Sequence, residues 1–162
     1  MLYDRIELES RVQRYATDRK LGLGEQLGFG VHGIVFATNR KSAIKIHGQV
    51  AAYRRERDVY VRLREHGVEL IRTFSVPQLI DYDDALLAIE MGIVTPPFVL
   101  DFAAAYLDVP PEFSEQVLID WEAEKREQFE QRWPEVQAVL RALEVLGIYQ
   151  ADVSPNNVRF RD

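Results

Sequence analysis

The rhythm of apolar and polar residues divides this chain into a β-rich first half and a helical second half. Residues 21–47 read as three short strands. The stretch from Gly28 to Gly33 joins the first two, and "ATNRKS" (37–42) joins the second and third. In "AIKIH", Ile44 and Ile46 share one face while Ala43, Lys45 and His47 share the other. Residues 51–65 carry Tyr53, Tyr60 and Leu63 at helical spacing, and His66-Gly67 ends that helix. Residues 77–94 read as two strands around an acidic turn, "DYDD". Adjacent prolines make 95–98 and 108–114 connectors, because proline fits the interior of neither a helix nor a sheet.

Ser114 suits the N-cap of a helix running towards Trp133, and Pro134 suits the first turn of the next. The core face of that second helix is Val136, Val139, Leu140, Leu143 and Leu146, with Gly147 as its stop. Trp121, Phe129 and Trp133 read as packing between helices. The tail, "YQADVSPNNVRFRD", is a polar loop with a very short strand after it. There is no internal repeat.

Composition narrows the function classes. The net charge of −6 argues against nucleic acid as a partner. The charge is uneven: residues 1–80 carry a net +5 and residues 81–162 a net −11. With no cysteine, disulfides, thiolate metal sites and cysteine nucleophiles are excluded. The N-terminal "MLYDRIELESR" is too charged for a signal peptide, and the longest apolar stretch is broken by Glu90 and too short for a bilayer. The expectation is a cytoplasmic protein with no membrane partner.

Chemistry enters with "LGFGVHGIVF" (27–36), which spaces Gly28, Gly30 and Gly33 as G-x-G-x-x-G. A dinucleotide fingerprint needs a helix directly afterwards. Here Ile34-Val35-Phe36 is strand chemistry, and the Gly-Lys-Ser/Thr of a P-loop is absent. A glycine hairpin remains, either an ordinary turn or a cover for phosphates. Lys45 lies mid-strand among apolar residues, where burial is costly without a partner. Glu56 falls on the same stripe as Tyr53, Tyr60 and Leu63 and is its economical partner. In the tail, Asp152 and Asn157 lie five residues apart on a loop, a spacing that serves proton acceptance and cation binding or simply an Asx-rich turn.

Taken in order, "GFGVHGIVF", "AIK", the helix glutamate and "DVSPNN" resemble the protein-kinase-like superfamily. "LLAIEMGIV" looks like that family's hinge, and "VQAVLRALEVLGIYQ" like its helix leading into the catalytic loop. The resemblance implies an α+β kinase-like fold. Residues 1–92 would form a small antiparallel N-lobe sheet with one helix, and 93–162 a truncated helical C-lobe. It also implies ATP and Mg²⁺ as cofactors. Gly28, Gly30 and Gly33 would cover the phosphates, Val35 and Ala43 would touch the adenine, and backbone groups of Glu90 and Gly92 would meet its edge. Lys45, held by Glu56, would contact the α- and β-phosphates. Asp152 would be the catalytic base and Asn157 a Mg²⁺ ligand.

The departures set the terms of the functional question. Gln150 and Ala151 stand where the family has His and Arg, and Ser154 stands where it often has Lys. No D-F-G or activation segment follows Asn157, so the family's main Mg²⁺-binding Asp has no assignment unless Asp162 replaces it. Two readings follow: a weak phosphotransferase moving the γ-phosphate of ATP to a hydroxyl of a protein or small molecule, or an inactive pseudokinase that binds nucleotide or a partner. A dimer covering the surface left by the missing helices is a further expectation.

Overall fold

A computed structural model describes residues 4–99 and 101–161. The chain begins with α1 (Arg5–Asp18), which sequence reading leaves unassigned. Asp4 caps it by accepting the Ile6 N–H at 3.0 Å, and its apolar stripe is Leu8, Val12, Tyr15 and Ala16. Charged residues dilute that stripe to one narrow line, so it reads as a polar segment until its partner surface is known.

Three strands follow: β1 (Leu23–Gly30), β2 (Gly33–Thr38) and β3 (Ser42–His47). The expected joining stretch from Gly28 to Gly33 is corrected: the turn is only residues 31–32, and Gly28 and Gly30 lie inside β1, opposite Val35 and Gly33. Then come α2 (Val50–Glu65), the short β4 (Leu70–Ile71) and β5 (Phe74–Ser75), and the pair β6 (Leu79–Asp83) and β7 (Ala88–Gly92). The turn between β6 and β7 falls on 84–87, slightly later than the "DYDD" expectation, because Asp83 accepts the Ala85 and Leu86 N–H groups. The main sheet runs β1-β2-β3-β7-β6, antiparallel throughout.

This sheet is covered on both faces. Ile34, Ile44, Ile46 and Ala88 pack with Leu8, Val12 and Tyr15 of α1. Ala43, Ile89 and Met91 pack on the other side with Tyr53, Tyr60 and Leu63 of α2. The period-two split of "AIKIH" is therefore real, and its second face looks towards α2. That second core runs on without a break into the rest of the chain, through Phe102, Trp133, Val139, Leu143 and Val158.

The second half supplies β8 (Phe98–Val99), β9 (Ala105–Leu107), α3 (Glu115–Phe129), α4 (Trp133–Val145), β10 (Ile148–Gln150) and β11 (Val158–Arg159). Ser114 caps α3 as expected, its hydroxyl accepting the Val117 N–H at 3.3 Å. Glu130 adopts φ 52°, and a 3₁₀ turn over Glu130–Arg132 separates the two helices. Val136, Val139 and Leu143 are buried, and Gly147 takes φ 75° just beyond the end of α4. A second sheet runs β11-β8-β5-β4, and β9 pairs with β10. The architecture is α+β, with an antiparallel main sheet and a second sheet in which β5 and β8 pair in parallel. Among the described residues, no helix is long and apolar enough to cross a membrane.

Two pairings outside the main sheet position the chemistry. Val99 lies opposite Val158, and Ala105 lies opposite Gln150. The segment 98–107 is thereby clamped alongside the loop 151–157 from both ends. Asp101 sits in the middle of that segment.

Candidate functional site

Lys45 lies on the α2 face of β3, opposite Val35 on one side and Ile89 on the other. Its ammonium is 7% exposed and lies 2.9 Å from Glu56 Oε2, so the pairing read from the helical stripe is present. Glu56 is 1% exposed and also holds His47 through the Nε2 of its ring. Burial by itself raises a carboxyl; here the Lys45 ammonium and the His47 ring outweigh it and hold Glu56 down at about 2. Burial lowers the Lys45 ammonium, but the charges of Glu56 and Asp101 more than reverse that and raise it.

Asp101 is the residue that sequence reading missed. Its Oδ1 accepts from Lys45 Nζ at 3.3 Å and from the Ala103 N–H at 2.8 Å. Its side chain is 29% exposed, the open corner of an otherwise buried cluster. The sequence left the family's main Mg²⁺-binding Asp without an assignment; Asp101 is a carboxylate beside Lys45, and it precedes the 151–157 loop in the chain instead of following it. The signal was "PPFVLDFA", an acidic residue closing a short apolar strand, and the expected order of motifs hid it. Asp162, the earlier candidate, lies outside the described residues.

His47 is fully buried against Glu56 and edge-on to Tyr53, with rings 5.7 Å apart. The alternation that put His47 on Lys45's face already contained this placement.

Beyond the cluster lies the 151–157 loop. Asn157 Nδ2 donates to the Asp152 carbonyl at 2.9 Å, which fixes the loop and leaves the Asn157 side-chain oxygen as an acceptor. Gln150 Nε2 donates to the Asp101 carbonyl at 2.6 Å and so ties the two segments together. Both oxygen donors, the Asp101 carboxylate and the Asn157 amide, suit a hard cation such as Mg²⁺, which is held by one or two side-chain oxygens and completed by phosphates and water. Among the described residues, no group of three or more His, Asp or Glu side chains gathers to hold a metal by itself.

The glycines fall into two kinds. Gly33 has φ 126°, and a Cβ there would stand 1.9 Å from the Ile46 carbonyl oxygen, so the hairpin itself demands glycine. Among the described residues, Gly28 and Gly30 have nothing within 4 Å of an added Cβ, and neither has a positive φ. The fold gives no reason for glycine at these two positions, which border open space above the sheet. Val35 and Ala43 lie on Lys45's face, Val35 directly opposite it.

Glu90 and Gly92 are less free than the hinge expectation implies. Glu90 lies between β3 and β6, and its side chain points under α1, accepting from Tyr15 OH at 3.0 Å and Ser42 Oγ at 2.7 Å. The Gly92 N–H donates to the Gln78 carbonyl at 2.8 Å, and the Ile93 N–H donates to that of Lys41. These two amides are committed to the sheet; an adenine edge would have to use other groups of the segment.

With this geometry in place, comparison of the sequence with models of protein families and with curated proteins finds no match. The functional reading therefore rests on the residues.

Proposed function

We propose that this protein is an ATP-dependent phosphotransferase of protein-kinase-like design, transferring the γ-phosphate to a hydroxyl. The observation that carries the reading is the buried Lys45 ammonium held between Glu56 and Asp101, with Asp101 clamped beside the Asp152–Asn157 loop. A lysine so held is a fixed positive charge for phosphate oxygens, and phosphoryl transfer depends chiefly on such positioning. Asp101-Phe102-Ala103 takes the D-F-G role from an earlier place in the chain. Phe102 is fully buried and edge-on to Tyr60, with rings 5.4 Å apart, which anchors the carboxylate's backbone.

Asp101 and Asn157 are the residues that would hold a divalent cation, which when bound neutralises charge on the phosphates. Lys45 orients the α- and β-phosphates, and the β1–β2 hairpin covers them. Asp152 accepts the proton of the acceptor hydroxyl. The pseudokinase alternative drew on the missing D-F-G segment; Asp101 supports the phosphotransferase reading by offering a carboxylate in that segment's place.

Two measurements test the reading. Saturating Mg-ATP should raise the melting temperature; no shift with either Mg²⁺ or Mn²⁺ sinks it. Transfer of labelled γ-phosphate should fall by about 10²-fold or more in both Asp152→Asn and Asp101→Asn. Wild-type rates in Asp101→Asn would remove Asp101 from the site, and no transfer by the wild type would return the protein to the class of binding modules.

A further inference from the structure

A cavity of about 600 Å³ opens between the 110–113 connector, α3, α4 and the stretch Tyr149-Gln150-Ala151 that leads into Asp152. Phe113, Leu118, Trp121, Trp133 and Leu140 give it an aromatic and aliphatic wall. Its size suits a small organic ligand. Trp121 and Trp133 meet edge to face at 5.7 Å, so the expectation that they pack helices together holds, and the same rings also form this wall.

Two buried polar atoms of the lining residues are unpaired. Trp133 is only 4% exposed, and among the described residues its indole N–H has no partner; Gln150 Oε1 has none there either. Gln150 Nε2 is fixed by the Asp101 carbonyl, so the amide cannot turn its oxygen to that bond instead. Buried polar atoms are rarely left unpaired in native proteins. An unmatched donor and an unmatched acceptor on two residues that line one cavity call for a ligand group of both senses, and a hydroxyl is the compact neutral group that accepts and donates at once. Glu122 and Glu144 stand at the cavity with Arg141, so the surroundings do not favour an anion.

We infer that this cavity binds a small amphipathic alcohol, uncharged or cationic, with its apolar body against the tryptophans and its hydroxyl between Trp133 Nε1 and Gln150 Oε1, and that this alcohol is the phosphoryl acceptor. The acceptor role rests on the phosphotransferase reading; the binding does not. Gln150 lies two residues before Asp152, so a hydroxyl held there stands at the entrance of the loop that carries the base. In the transfer, the alcohol oxygen bonds to the γ-phosphorus and its proton passes to the Asp152 carboxylate. The bond from the γ-phosphorus to the bridging oxygen breaks, and ADP leaves with that electron pair.

The chain's two tryptophans are both in the cavity wall, so intrinsic fluorescence reports its occupancy directly. Titration with 2-phenylethanol should give a saturable change, and its methyl ether, which cannot donate, should bind about tenfold more weakly. Gln150→Leu should erase that preference while the folded protein still binds both probes; Trp133→Phe, which keeps an aromatic ring, should weaken both. Equal affinity for alcohol and ether, or no saturable response, overturns the site. So does a dimer by light scattering that Leu118→Asp dissociates, in a protein silent to the alcohol. With Mg-ATP present, phosphorus NMR should show a new phosphoester that Asp152→Asn abolishes. Bound ATP and bound alcohol without that ester overturn the acceptor role alone. Discrimination of alcohol from ether with no Mg-ATP melting shift refutes the phosphotransferase reading, and the acceptor role with it, while the alcohol site stands.

Discussion

The two faces of the main sheet each bury one glutamate, and they do so by opposite means. Under α1, Glu90 accepts from neutral hydroxyls, Tyr15 and Ser42, and Ser42 is in turn bonded to Thr38 at 2.6 Å. Under α2, Glu56 is matched by the Lys45 ammonium and the His47 ring. The first network is closed: its donors end on the sheet and hold α1 in place. The second is open at one corner, where Asp101 reaches solvent beside a loop of polar residues. A buried ion pair is a poor route to stability, since well-packed apolar residues of similar volume do as well or better. On the proposed function, its place next to the open corner gives the chemistry to that face and the scaffold to the other.

The largest effect that sharpens this contrast belongs to Lys45→Met. It leaves Glu56 buried with its main counter-charge gone, and breaking a buried pair from one side costs about 3–5 kcal/mol. Urea unfolding should show that loss, and Mg-ATP should no longer shift the melting temperature. Tyr15→Phe on the other face removes one hydrogen bond to a carboxylate that keeps Ser42. The expected cost is about 1.5–3 kcal/mol, with Mg-ATP affinity unchanged. Equal losses in the two variants, or a nucleotide effect in Tyr15→Phe, would dissolve the distinction between the faces.

Acid unfolding gives the next test. The Glu56 carboxyl is held at about 2 in the folded protein against an ordinary 4.5. A depressed folded value contributes stability that is complete above the unfolded value and is lost as the pH falls through the folded one. The wild type should therefore lose stability between about pH 4.5 and 2, and Glu56→Gln, less stable at neutral pH, should show a flatter profile over that window. A parallel profile in the variant would mean that Lys45 and His47 do not stabilise the ionised carboxylate.

Much of this was legible in the chain itself. The alternation in "AIKIH" placed Lys45 with His47, and the three-four-three spacing in α2 put Glu56 on the buried stripe; local periodicity alone determines both. The cap at Ser114 and the stop at Gly147 were likewise local. What could not be read were the pairings between distant segments. Asp101 meets Lys45 only because β8 pairs with β11 and β9 with β10, joining residues about fifty positions apart. Helix α1 stayed hidden for a related reason: four buried residues among charged ones declare a face only when the sheet's Ile44 and Ile46 are there to cover it. The Trp133 and Gln150 atoms without partners carry no sequence signal at all, because an unmade bond is visible only in the fold.

The smallest stability effect is expected at the hairpin, and there the absence of an effect is informative. Gly28→Ala and Gly30→Ala add a methyl group into open space without changing the sign of φ, so urea unfolding should move by less than about 0.5 kcal/mol. If these glycines serve only the turn, nucleotide affinity will not move either. If they let the backbone lie against phosphates, the added methyls stand where those oxygens approach, and Mg-ATP affinity read from the melting shift should fall several-fold while unfolding stays put. A loss of stability instead would place the glycines with Gly33, as servants of the fold, and would take the phosphate cover out of the α2 face's chemistry, leaving Lys45 and Asp101 to meet ATP without a lid.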